Sequence, residues 1–270
     1  TNVAAINSHR NLAANNTQMG KTMEKLSSGY RINRAADDAA GLAISEKMRF
    51  QINGLNQAQR NAQDGISLLQ TAEGALTEVH SMLQRMNTLA NQSANGTNAS
   101  EDRTALQAEV KQLIGEINSI STSTTFNGIN LLSTSATVTF QVGVTGTDRL
   151  AVTMKKMDAT TLGVTATKVT AIDISTSAGA VSALAVIKGA ITQVSTHRGN
   201  LGAAQNRLEH TINNLGVNSE NLAAAEMRIR SADMAKEMTE FTRNQILVQA
   251  GTAMLAQANS MPQGVLKLLG

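Results

Sequence analysis

The stretch MRFQINGLNQAQRNAQDGISLLQTAEGALTEVHSMLQRMNTLA, Met48 to Ala90, decides the fold. Met48, Leu55, Ala62, Leu69, Leu76, Leu83 and Ala90 recur every seven residues. Ala58, Gly65, Ala72, Val79 and Met86 follow five of them by three. Alternating steps of three and four hold one stripe along one side of an α-helix, the seam of a coiled coil. No proline interrupts it. The pattern predicts a helix from about Leu42 to about Ala94, roughly 80 Å long at the standard rise.

A second seam lies downstream. Ile187, Val194, Leu201, Leu208, Leu215, Leu222 and Ile229 repeat by seven, with Leu184, Ile191 and Ile212 in the complementary position. Arg198, Gln205, Ser219 and Glu226 interrupt that second row. The predicted helix runs from about Ala178 to Arg230. Between the two seams, Leu106, Val110, Leu113, Ile117 and Ile120 mark a shorter helix. The loop before it, Asn91 to Ser100, is rich in Asn, Ser, Thr and Gly, so the short helix is expected to fold back antiparallel. Strand signals occur only mid-chain. Val138, Phe140, Val142 and Val144 alternate, as do Leu150, Val152 and Met154, around Gly146-Thr147-Asp148. This predicts a β-hairpin. Lys155 to Gly179 reads as loop or short strand.

The two ends carry weaker repeats. Ala5, Leu12, Met19 and Leu26 recur by seven, with His9 and Asn16 among their partners. Met227, Met234, Phe241, Val248 and Leu255 do the same, beside a row of Leu247, Met254, Met261 and Leu268. The register slips by two near Ser231, which predicts a bend there. The counterpart is Ser27 to Gly41, with Arg31, Arg34, Asp37 and Asp38. The layout is nearly palindromic. It predicts a mainly α chain: a long antiparallel coiled-coil bundle with a small β-hairpin region at one end and paired terminal helices at the other. The expected units are 1–30 with 232–270, a joint at 31–41, an outer bundle of 42–135 with 178–231, and a hairpin region at 136–177. The terminal pair buries little apolar surface alone, so copies of the chain are expected to cover it.

Composition agrees with helical rods. Aromatics are 2% of 270 residues, with no Cys and a single Pro. Pro262 lies beyond the rows ending at Leu255, where it is expected to interrupt no long helix. Zero Cys excludes disulfides and thiolate metal sites. So few aromatics argue against a base-stacking nucleic-acid binder, and the +3 net charge shows no basic cluster for DNA or lipid. No apolar run of ~20 residues predicts membrane insertion, and Thr1 to Arg10 lacks a signal-peptide pattern. His9, His80, His197 and His210 show no metal spacing, and neither a nucleophile elbow nor a phosphate loop is present. The chain therefore reads as a non-enzyme without cofactor or metal.

Long strings then resemble one family. EKLSSGYRINRAADDAAGLAISEKMR, Glu24 to Arg49, resembles the N-terminal signature of bacterial flagellin. Gln63 to Leu76, Phe126-Asn127-Gly128, Arg207 to Leu215 and Gln249 to Asn259 are similar to the same family. The likeness covers roughly 1–130 and 178–270. It departs in starting a few residues inside the family's usual N-terminus and in a short middle, which implies a minimal subunit with little or no outer domain.

The resemblance implies a structural subunit that polymerises into the flagellar filament for swimming motility. Filament inner-core contacts would come from Leu12, Met19, Met23, Leu26, Met234, Met238, Phe241, Val248, Leu255 and Leu266. Arg31, Arg34, Asp37 and Asp38 would form ion pairs at the joint. The family also implies type III export without a cleaved signal, an export chaperone at the C-terminal region, and filament cap and hook-junction partners. It further implies recognition by an innate immune Toll-like receptor, on Gln84, Arg85, Leu89 and Glu109. Two alternatives stay open: a cytoplasmic signalling coiled coil of chemoreceptor type, and a hook–filament junction protein.

Overall fold

The structure is a computed structural model. It describes the backbone of residues 2–164 and 167–269, and side chains as far as residue 260. Leu266, Met261 and Leu268 thus lie outside the described side chains. The order is α1 (Val3–Ser28), α2 (Ala39–Ala94), α3 (Ser100–Ser123), β1 (Thr125–Phe126), β2 (Ile129–Asn130), β3 (Ala136–Gln141), β4 (Arg149–Met154), α4 (Ser177–Arg230) and α5 (Met234–Leu269). The chain divides into two compact units, 54–218 and 1–53 with 219–270. Both boundaries fall inside α2 and α4, whereas the sequence reading placed them at the joint.

In the first unit, α2, α3 and α4 share one core with the larger hairpin. Ala58, Ala62, Leu69, Ala72, Leu76, Val79, Leu83, Met86 and Ala90 are all buried, as the period predicts. On α4 the heptad row Ile187, Val194, Leu201, Leu208 and Leu215 is buried. Its second row is Ala183, Ala190, His197 and Ala204, one position from the expected Leu184 and Ile191. The small side chains let the backbone approach the core, and the larger Leu184 and Ile191 sit half-buried at its margin. Arg198 and Gln205, which interrupt the expected row, instead reach Glu73 on α2 at 3.5 and 3.4 Å. Ser177 donates to the Ala94 carbonyl at 3.1 Å, so α4 runs antiparallel to α2.

An 18-residue window of α4 has a mean hydropathy of 1.3, long and apolar enough by composition to match a membrane span. It is not a continuous apolar run, since Ser182, Lys188, Thr192 and Gln193 interrupt this part of the helix. A third of that window is buried, and Ala180, Ala183, Val186, Ile187, Ala190 and Val194 of this helix lie in the bundle core.

The predicted hairpin is present. β3 and β4 pair antiparallel from Ala136↔Met154 to Gln141↔Arg149. Leu150, Val152 and Met154 face the core alternately, as period two requires. Phe140 and Leu208 pack tightly on Gly65: a Cβ there would lie 3.1 and 3.2 Å from them, so a side chain would require them to shift by a few tenths of an ångström. A second hairpin, β1–β2, turns at Asn127 and Gly128, both with positive φ. That is the two-residue turn Asn-Gly favours.

Between β4 and α4 the described residues are irregular apart from a 3-10 turn at Val169–Ala171, but they are not peripheral; residues 165 and 166 lie outside the described residues. Met157, Ala159, Leu162, Val169, Ile172 and Ile174 are buried in the same core. Side chains replace the missing ladder. Gln107 on α3 accepts from Ile174 N–H at 2.7 Å and donates to the Ile172 carbonyl at 3.1 Å. Ser93 donates to the Ile174 carbonyl at 2.5 Å. Buried backbone groups need such partners.

Candidate assembly interface

The terminal unit is built on α1 and α5. Lys25 pairs with Glu237 at 3.3 Å, and Asn2 donates from Nδ2 to the Ala258 carbonyl at 2.6 Å, so the helices run antiparallel. The apolar rows Leu12, Met19, Leu26 and Phe241, Val248, Leu255 are half-buried. The alternating rows are small or polar: Ser8, Asn15 and Thr22 on α1, and Glu237, Asn244, Gly251 and Ala258 on α5. His9 and Asn16, expected in the seam, are exposed. Thr22, Glu237, Asn244 and Ala258 are buried most deeply. Small residues at this row permit close approach; a Cβ on Gly251 would lie 3.3 Å from Leu12 Cδ1.

α5 also continues through Pro262 to Leu269, past the point where the proline was expected to lie beyond any long helix. Proline lacks the N–H that would bond the carbonyl four residues earlier, at Ala258. Asn2 supplies that carbonyl with a donor, while its Oδ1 accepts from Ala5 N–H at 3.1 Å and caps α1.

The joint holds two chain crossings together. α1 ends at Gly29, whose φ of 74° closes the helix through a bond from its N–H to the Lys25 carbonyl. Tyr30 and Ser231 form an antiparallel bridge. Arg31 N–H donates to the Arg230 carbonyl at 2.7 Å, and Ala232 N–H to Gly29 at 3.0 Å. Arg230 stacks 4.8 Å from the Tyr30 ring centre and pairs with Glu46 at 2.6 Å. The expected joint ion pairs take another form. Arg34 pairs with Glu24 at 2.9 Å, and Arg31 donates to the Ile229 carbonyl at 2.5 Å. Neither aspartate bonds an arginine side chain among the described contacts. Asp37 accepts from the backbone N–H groups of Arg34 and Asn33, which hold its carboxyl below the usual range. Asp38 accepts from Gly41 N–H at 2.8 Å and caps α2. Asp38 thus serves a free N–H of the helix start, and Asp37 the turn that leads into it.

The receptor positions separate. Gln84 and Arg85 are exposed, and Arg85 grips Glu109 on α3 through two bonds of 2.7 and 3.2 Å. Leu89 is fully buried in the core, so it cannot form part of an exposed epitope. It lies three residues after Met86, on the inward side of the same helix.

The outward surface of the terminal unit is the site's main feature. Among the described residues, twelve of the fifteen large apolar side chains that stand exposed belong to this unit. They include Val3, Ile6, Met23, Phe50, Met234, Met238, Ile246 and Met254. Of the ten expected inner-core contacts, Met23, Met234 and Met238 are among these outward residues, and six line the α1–α5 seam. Elsewhere, a cleft of about 450 Å³ beside α4 is lined by residues such as Thr153, Lys155, Met157, Thr192 and Thr196. No carboxylate or imidazole lines it. No cluster of three metal-ligating side chains occurs among the described residues.

Comparison with known proteins agrees with this architecture. The bacterial flagellin N-terminal helical region matches residues 1–137, and the bacterial flagellin C-terminal helical region matches 184–269. A flagellin of Halalkalibacterium halodurans is 57% identical over 269 residues, covering 99% of this chain and 98% of its own. A Bacillus subtilis flagellin is 50% identical over 298 residues, covering 99% of this chain and 98% of its own. The crystal structure of Bacillus cereus flagellin aligns over 62% of this chain and 94% of its own, at 32% identity and a TM-score of 0.52. A putative flagellar hook-associated protein of Vibrio parahaemolyticus shares the fold, with a TM-score of 0.63 over 72% of this chain and 99% of its own, at 16% identity. With both helical regions matched and half or more of its residues shared with full-length relatives, the chain belongs to the bacterial flagellin family, the structural subunits of the flagellar filament outside the cell.

Proposed function

We propose that copies of this chain polymerise through the outward face of the terminal unit, and that the resulting filament serves swimming motility. The observation that carries this reading is the concentration of exposed apolar side chains on that unit. Large apolar side chains exposed in such number on one unit are the kind of surface that partners cover. Leu12, Met19, Leu26, Phe241, Val248 and Leu255 hold α1 to α5 within one copy, while Met23, Met234 and Met238 meet neighbours. Leu266 extends the same proposal beyond the described side chains. Contacts must join unlike surfaces, because only non-closing contacts propagate a helical polymer.

Partners follow from this reading. An export chaperone covers the C-terminal region before assembly, and cap and hook-junction proteins bound the filament. Type III export in an unfolded state is compatible with a chain free of cysteine whose terminal seam is only half-buried. An innate immune receptor reads the exposed face around Gln84, Arg85 and Glu109. The test is negative-stain electron microscopy of the purified chain. Long filaments of uniform diameter are expected; monomers or dimers alone would overturn the reading.

A further inference from the structure

Among the described residues, the exposed methionines all belong to the terminal unit, where Met19 and Met48 are half-buried. Met86, Met154 and Met157 are buried in the core of the 54–218 unit, and Met82 is half-buried there. Met23, Met227, Met234, Met238 and Met254 belong to the terminal unit and are 47% to 63% exposed. Buried methionine is a gap-filler. Exposed methionine offers a thioether to any dissolved oxidant.

We propose that these five methionines are separate, reversibly oxidised positions whose sulfoxides gate assembly. The inference rests on the filament reading for its consequence, but not for its chemistry. The oxidant is hydrogen peroxide. A sulfur lone pair attacks the outer peroxide oxygen, the O–O bond breaks, and an S–O bond forms. The sulfur loses two electrons to become the sulfoxide, and the peroxide is reduced to water. The product is a polar group where the assembly face presents an apolar one. Burying that oxygen at a contact without a donor weakens the contact by on the order of tenfold per sulfoxide. The core methionines are shielded, so the bundle keeps its packing while the assembly face is altered. Once the chain is assembled, the neighbouring copies shield the five sulfurs as well. Oxidation therefore acts on the free chain rather than on the finished polymer, and methionine sulfoxide reductases, one for each epimer, reverse it with a dithiol as reductant, which becomes a disulfide as the oxygen leaves as water.

The test treats the full free chain with dilute hydrogen peroxide and maps sulfoxides by peptide mass spectrometry. Sulfoxide is expected at Met23, Met227, Met234, Met238 and Met254, with Met86, Met154 and Met157 spared. Equal oxidation of the core set, or sparing of the exposed set, overturns the assignment of these positions. The same samples are then polymerised. The oxidised chain should need at least about ten times the concentration to form filaments, and treatment with both reductases should restore the original threshold. An unchanged threshold, or one the reductases do not restore, overturns the gating. An untreated chain that never assembles would overturn the filament reading and the gating with it, while the sulfoxide map still decides the positions.

Discussion

Leu76→Ala separates the residues that hold one copy together from those that face other copies. Leu76 is fully buried in the α2 seam, one heptad from Leu69 and from Leu83, which are buried too. Truncating a buried leucine removes its transfer free energy and leaves a cavity, together about 2–5 kcal/mol. Ala72 and Val79, one turn before and after on the same helix, are fully buried as well, so the site has little freedom to collapse, which favours the middle of that range, about 3 kcal/mol. For a unit of this size each kcal/mol lowers Tm by about 2–4 °C, so a fall of about 6–12 °C is expected. The assay is thermal unfolding of the free chain by calorimetry, with Met238→Ala as the companion variant. Met238 is exposed, and its truncation should leave Tm within about 2 °C. The same substitution should raise the concentration needed for polymerisation. A Leu76→Ala shift below 2 °C, or a Met238→Ala shift as large as that of Leu76→Ala, would refute the division.

Three further outcomes follow from named contacts. Burial pushes the His197 imidazole below its ordinary pKa, with Lys155 adding to the effect. The unfolded chain then takes up a proton as pH falls below about 6.5 while the folded chain does not. Stability should therefore be lost as pH falls from there toward the folded pKa, and His197→Leu should flatten that slope in urea titrations between pH 7 and 5. Asp38→Ala removes the α2 cap and should lower the stability of the terminal unit by about 1 kcal/mol in the same titration, with Asp38→Asn recovering most of it. Arg85→Ala should reduce the response of receptor reporter cells to the free chain while leaving its circular dichroism unchanged; an unaltered response removes Arg85 from the epitope.

The sequence was legible where one side chain's position depends on its own helix. Leu69, Leu76, Leu83, Leu201 and Leu208 sit where a seven-residue period puts them. It was less legible where a partner helix chooses. Ala183 and Ala190 displaced the larger Leu184 and Ile191 by one residue, because close approach favours small side chains, and Ser8, Asn15 and Thr22 lie one residue before the expected His9, Asn16 and Met23. Leu89 follows the same lesson: a leucine three residues beyond a seam position is still on the inward side. Non-local partners were out of reach. Nothing near Arg34 in the heptad pattern points to Glu24, and Arg230 finds Glu46 from 184 positions away. The caps were readable in principle, since Asp38 directly precedes the first residue of α2. The buried path of Lys155 to Gly179 was not, because Gln107 and Ser93 satisfy its backbone in place of a periodic strand.

Amide hydrogen exchange of the free chain against its polymer tests the central claim most directly. The account predicts that new protection on polymerisation concentrates in peptides of Val3–Ser28 and 234–260. Peptides spanning Leu69 to Met86 should exchange slowly in both states. Protection confined to the β3–β4 hairpin, or no difference between the two states, would contradict it.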